Sequence, residues 1–182
     1  MSLDSRKIKD KNILAFKEIS KEKPLNTEHF SKGMYDWIMF VLNFYVRVRE
    51  KLKIDFDSFV ILQVVVSHSL YEINKTGPKT FLELGHQMSL LGKKKIKNEN
   101  KLTFASVSDV LNLPRETVRR KVIYLTKINI LNFDSEKGIK LGKGYKDIYE
   151  DFVKHTTVDL STLAKKWKKN GVLENLLLID NV

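Results

Sequence analysis

Residues 102–141 read LTFASVSDVLNLPRETVRRKVIYLTKINILNFDSEKGIKL, and their spacing decides the expected fold. The span 105–111 reads as a short helix, with Val107, Val110 and Leu111 apolar. Asn112-Leu113-Pro114 is a tight turn. Residues 115 to about 128 form a second helix whose apolar stripe is Val118, Val122 and Leu125. Pro114 suits the first turn of that helix, because its ring pre-sets φ and its missing N–H is not needed there. Two short apolar, strand-like pieces follow, 130–133 and 139–141, and Asn132-Phe133-Asp134-Ser135-Glu136-Lys137-Gly138 separates them, which is a β-hairpin pattern.

Two short helices joined by a three-residue turn and followed by a hairpin describe a winged helix-turn-helix. With Val118, Val122 and Leu125 turned to a core, Arg115, Glu116, Thr117, Arg119, Arg120 and Lys121 are left outside. The N-terminal turns of a recognition helix are the part that meets base edges. The stretch VLNLPRETVRRKVIYL is similar to the recognition unit of bacterial helix-turn-helix regulators, and most of all resembles the catabolite-activator type. The resemblance covers about 40 of the 182 residues. It implies base contacts by Arg115, Glu116 and Arg120 and a phosphate contact by Thr117. Arg can bind guanine O6 and N7 bidentately, and Glu can accept from cytosine N4, so this set suits a G·C-containing half-site.

Two departures from that family stand out. Its members carry a glycine-rich, cyclic-nucleotide-binding β-roll ahead of the helix-turn-helix. Residues 30–91 here are helical in pattern, with glycine only at 33, 77 and 85, so no cyclic-nucleotide site is expected. Asn129 stands where glycine often ends the recognition helix, and Asn tolerates a left-handed cap.

The charge points the same way. The formal net charge is +11, and residues 93–146 hold 14 basic against five acidic residues. The other 128 residues carry 19 basic and 17 acidic side chains, so one segment holds nearly all the excess. Localised positive charge attracts a polyanion, most often nucleic acid. Phosphate contacts are expected from Thr117, Arg119 and Lys121, from the wing residues Lys137 and Lys140, and from Lys93, Lys94 and Lys95.

Around this unit the chain reads as mainly α, with N-terminal and C-terminal helices. Residues 1–28 are polar and flexible, with a short helical pattern at 13–19. Residues 29–92 read as a helical core and dimerisation part. In it, Met34, Trp37, Ile38, Val41, Leu42, Tyr45, Val48 and Leu52 recur at helical spacing, and Phe40 and Phe44 make that helix apolar almost all round. Asp55 or Asp57 caps the next helix, 56–74. Its Val64-Val65-Val66 run has strand character, but the segment's length favours helix. Asn74 to Pro78 breaks the chain, 80–91 is a third helix, and 93–101 is a basic linker taken as the domain boundary. The wing ends near 144, and 145–182 hold C-terminal helices broken at Asn170-Gly171.

Several chemistries are excluded or unsupported. With no cysteine there is no disulfide, thiolate zinc site, iron–sulfur cluster or cysteine nucleophile. His29, His68, His86 and His155 lack metal-ligand spacing, so no metal or other cofactor is expected. Gly142-Lys143-Gly144 reads as a turn after the wing, and Lys165-Lys166-Trp167-Lys168-Lys169 as a packed Trp among solvated lysines. The runs 38–48 and 59–71 are interrupted by polar residues and fall short of the roughly 18 apolar residues of a membrane span. The N-terminus has no apolar stretch of the secretory kind, so a cytoplasmic protein is expected. No residue pattern marks an enzyme. The expected function is sequence-specific binding of double-stranded DNA by a homodimeric bacterial transcriptional regulator. The alternatives are a winged-helix protein-interaction module and a replication or RNA-binding winged helix. Apolar helix pairs often host small molecules, but no residue points to an effector.

Overall fold

The computed structural model describes residues 29–91 and 101–178. The expected N-terminal segment 1–28 and most of the basic linker, Lys93–Lys95 included, lie outside the described residues. The fold is mainly helical with one small antiparallel sheet. In chain order it holds α1 (Phe30–Arg47), α2 (Phe56–Asn74), α3 (Phe81–Leu91), α4 (Phe104–Leu111) and α5 (Arg115–Lys127). Then come β1 (Leu131–Asp134), β2 (Gly138–Leu141), α6 (Tyr145–Ile148), α7 (Lys154–Lys169) and α8 (Val172–Leu177). Wider π-type turns, Val48–Leu52 and Tyr149–Val153, follow α1 and α6.

The chain divides into two compact units, and not where the basic linker suggested. Among the described residues, one unit runs from Tyr45 to His155, and the other combines those up to Phe44 with those from Thr156 onward. The segment 29–92 is therefore not one body, and the C-terminal helices are also shared out. The reason lies in α2. Its stripe of Ile61, Leu62 and Val65 is almost fully buried, and α2 packs on α4, α5 and β2. A helix sealed in this way belongs to the core that also holds α4, α5 and the hairpin.

In the central unit, the innermost side chains are Ile61, Leu62 and Val65 with Val107 of α4, Val118, Val122 and Leu125 of α5, and Leu131, Ile139 and Leu141 of the hairpin. Among the described helices, α2 is the one long and apolar enough to cross a membrane, and its core face is spent on these neighbours. The Val64–Val66 run is helical throughout. Asp55 caps α2 by accepting from the Ser58 N–H at 2.9 Å. Tyr149 stacks on Phe81 at 4.8 Å and donates to its carbonyl, which ties the residues after α6 to α3.

Local chemistry fixes the quoted stretch. Thr103 and Ser106 form a reciprocal capping box at the start of α4. Asn112 closes α4 in the left-handed region, and the Ser108 hydroxyl donates to the Leu113 carbonyl at 2.6 Å. Pro114 is the residue just before α5 rather than its first, with φ −57° and ψ 133°. Asn129 adopts the left-handed conformation after α5, as its residue type allows. The strands pair in register from Leu131↔Leu141 to Asp134↔Gly138. The Asp134 carboxylate closes the turn by accepting from the N–H groups of Glu136 and Lys137, both at 2.9 Å. The outer edge of β2 is covered too, because the Ile139 N–H donates to the Leu102 carbonyl at 2.9 Å. The hairpin is thereby bonded to the chain entering α4.

The second unit is built from the first part of α1 with α7 and α8. Gly33 lies against Val172, the Trp167 indole N–H donates to the Gly33 carbonyl at 3.2 Å, and Trp37 and Trp167 stand 6.4 Å apart. Trp167 is thus packed while its flanking lysines face solvent, as their sequence context suggested.

Gly138 has φ +75°, and a Cβ there would meet the Leu102 carbonyl oxygen at 2.4 Å. Gly138→Ala is expected to destabilise the protein by about 1–3 kcal/mol, because strain and the clash act together. A thermal melt followed by circular dichroism checks this, and an unchanged midpoint would show that the hairpin edge is not held as described.

Candidate nucleic-acid interface

Burial of Val118, Val122 and Leu125 sets the rotation of α5. Arg115, Glu116, Arg119 and Arg120 then face solvent on its first two turns, with Thr117 half-buried beside them. The structure brings these five expected residues onto one helix end. Arg115 and Arg120 carry no ion pair among the described residues.

Glu116 and Arg119 are already partnered. The Arg119 Nε donates to one Glu116 oxygen at 2.8 Å and a terminal nitrogen to the other at 2.6 Å. This side-on fork holds the Glu116 carboxyl below its ordinary range and raises the Arg119 guanidinium. The spacing is i,i+3, the helical distance at which side chains meet. In the free protein, then, this end of α5 presents Arg115 and Arg120 in solvent beside the Glu116–Arg119 pair, with Arg120 also acting on the Glu116 carboxylate through its charge.

Lys121 requires a correction. It was expected at a phosphate, but its ammonium binds the Asp55 carboxylate at the start of α2, and its side chain is only 18% exposed. Asp55 therefore has two tasks: one oxygen caps α2 and the other grips α5. Burial raises the Asp55 pKa, but the Lys121 hydrogen bond and the Ser58 N–H outweigh it and bring the carboxyl down to about 2. Lys121 faces the neighbouring helix because it borders the stripe of Val118, Val122 and Leu125 that is sealed against the core.

The hairpin is less basic than its lysines suggest. Lys137 is exposed at the turn and Lys140 half-buried on β2, opposite Asn132. Asp134 and Glu136 stand with them, so the four charges cancel. Lys143 and Lys146, just beyond β2, are exposed, and Lys146 lies 3.6 Å from Glu150. Phe104 and Phe133 meet in a tilted pair with ring centroids 4.5 Å apart, joining the first turn of α4 to the hairpin. Among the described residues no cluster of three or more His, Asp or Glu side chains is arranged for a metal.

No protein family, curated protein or solved structure matches this chain.

The Asp55–Lys121 contact makes α5 acid-sensitive. A carboxyl whose folded pKa lies below its unfolded value stabilises the fold above the unfolded pKa and stops doing so as pH falls through the folded one. Stability is expected to fall between pH 3.8 and about 2 through this group. Asp55→Ala should lower stability at neutral pH by about 1–2 kcal/mol, mostly through the lost cap, and flatten that acid limb. Urea melts at several pH values measure both, and an acid limb unchanged in the variant would refute the assignment.

Proposed function

We propose that this chain is a sequence-specific double-stranded DNA-binding protein, a transcriptional regulator in which α4, α5, β1 and β2 form a winged helix-turn-helix. One observation carries the reading. The first turns of α5 hold three arginines in solvent while the opposite stripe of the same helix is locked into the core. A three-residue turn before α5 and a hairpin after it add support. Two copies would engage two half-sites about one helical turn of DNA apart.

In this reading Arg115 and Arg120 approach guanine edges. Glu116 accepts from cytosine once it exchanges its partner Arg119 for a base, and Thr117 bonds a phosphate. Arg119, released from Glu116, and the lysines flanking α5 supply phosphate contacts, which position without specifying. The cancellation of charge in the hairpin favours a second reading, in which the winged helix binds another protein instead.

The protein is expected to bind a random duplex at 50 mM salt, with log K falling by about 0.9 per log[salt] for each phosphate neutralised. Against a site selected from random DNA, Arg115→Ala and Arg120→Ala should each weaken binding by about 1–3 kcal/mol at particular base pairs. Lys137→Ala should instead act equally on all sequences. Fluorescence anisotropy titrations at two salt concentrations measure these effects. Absence of binding at low salt would reject the DNA reading in favour of the protein-interaction one.

A further inference from the structure

Helix α1 carries two apolar faces, and among the described residues only one of them is packed. Gly33, Phe40 and Phe44 lie on the inner face. On the opposite side, Tyr35, Ile38, Met39, Leu42 and Val46 form a continuous stripe in solvent, with Tyr35 63% and Leu42 53% exposed. Between Lys32 and Arg47 the sequence has one charged residue, Asp36. That side chain is turned inward towards Lys166. The exposed face is thus free of charge over four turns in a chain where 30% of residues are charged.

We infer that this stripe is covered by the same stripe of a second copy of the chain, with the two α1 helices antiparallel. The inference deepens the DNA-binding reading by giving the dimer its surface. Three observations select this occupant. The first is area. The exposed parts of the five side chains come to roughly 500 Å², close to the apolar share of the ~800 Å² that each partner contributes to a standard interface. The second is spacing. Tyr35, Met39, Leu42 and Val46 recur at intervals of 4, 3 and 4, the seam of a helix paired with another helix. The third is direction. An antiparallel pair sets Tyr35 opposite Val46 and Met39 opposite Leu42, so the largest residue meets the smallest. A parallel pair would set Tyr35 on Tyr35 and bring together the basic ends that hold Arg47, Arg49 and Lys51. A two-fold axis across the helices satisfies volume and keeps the two 47–51 ends apart.

Size-exclusion chromatography with light scattering on the full chain tests this at micromolar concentration, without DNA. The expected mass is twice 21.2 kDa. Met39→Glu/Leu42→Glu is expected to halve that mass and leave the helical circular dichroism unchanged, since both positions are solvent-facing. Because the chain has no cysteine, a mixture of Tyr35→Cys and Val46→Cys chains should give a covalent dimer on oxidation, and neither variant alone should. This arm decides the matter if the glutamate variant fails to fold. Removal of residues 1–28 should leave the dimer intact. A monomeric wild type, a dimer that survives both glutamates, cross-linking of either cysteine variant with itself, or a dimer that forms only once 1–28 are removed would each overturn the inference. Binding of the glutamate variant to a random duplex at low salt is read separately. If it persists while the mass result fails, the interface is wrong and the DNA reading stands; if it is absent in the wild type too, the DNA reading fails on its own.

Discussion

The seating of α5 on α2 is the constraint on which the rest depends. Val118, Val122 and Leu125 are completely buried, against a core that includes Ile61, Leu62 and Val65. Burying a side chain of this size contributes about 1.5–3 kcal/mol, so the three together outweigh any surface interaction α5 makes. In a helix, successive residues are rotated by about 100°. Fixing one stripe fixes the direction of every other side chain, and Arg115, Arg119 and Arg120 are exposed because the stripe is not. The Asp55–Lys121 contact acts on the same degree of freedom. It joins the α2 cap to the middle of α5 and resists rotation of one helix against the other.

Local terms then place the flanking pieces without help from the core. A capping box starts α4 and a left-handed Asn ends it. The proline before α5 forces an extended conformation that separates the two helices. A carboxylate folded back on two N–H groups makes the hairpin turn. Each is a short-range device, and together they leave the hairpin little freedom. Its remaining anchor is longer in range: the backbone of Leu102 bonds to β2, so the entry to α4 and the hairpin move together.

That division between short and long range also explains what the sequence revealed. The boundaries of α4, α5 and both strands fall within about one residue of expectation because caps, turns and apolar spacing are written into neighbouring residues. The structure groups α2 with α4, α5 and the hairpin rather than with the N-terminal part, because periodicity shows that a helix has a buried face and not which helix buries it. Asp55 and Lys121 are 66 residues apart, and no pattern in one sequence joins them. The Glu116–Arg119 pair is legible from its i,i+3 spacing, but that spacing alone does not show the fork closed in the free protein. The all-round apolar character of α1 was read correctly, but only the structure separates the packed face from the exposed one.

The same comparison of magnitudes bears on how α5 would discriminate among sequences. An exposed ion pair such as Glu116–Arg119 is worth up to about 1 kcal/mol. A bidentate contact between a side chain and the correct base is worth about 1–3 kcal/mol. On a matching site the single N4–H donor that cytosine offers competes with Arg119 for the Glu116 carboxylate, while the arginines make the bidentate contacts. On a mismatched site nothing compensates for opening the pair, so Glu116 and Arg119 stay bound to each other and present a nearly neutral surface. Arg115 and Arg120, exposed and outside that pair, would attract any duplex before contact. In the proposed regulator Arg115 and Arg120 therefore govern encounter, and the Glu116–Arg119 pair sharpens selectivity by remaining closed on wrong sequences.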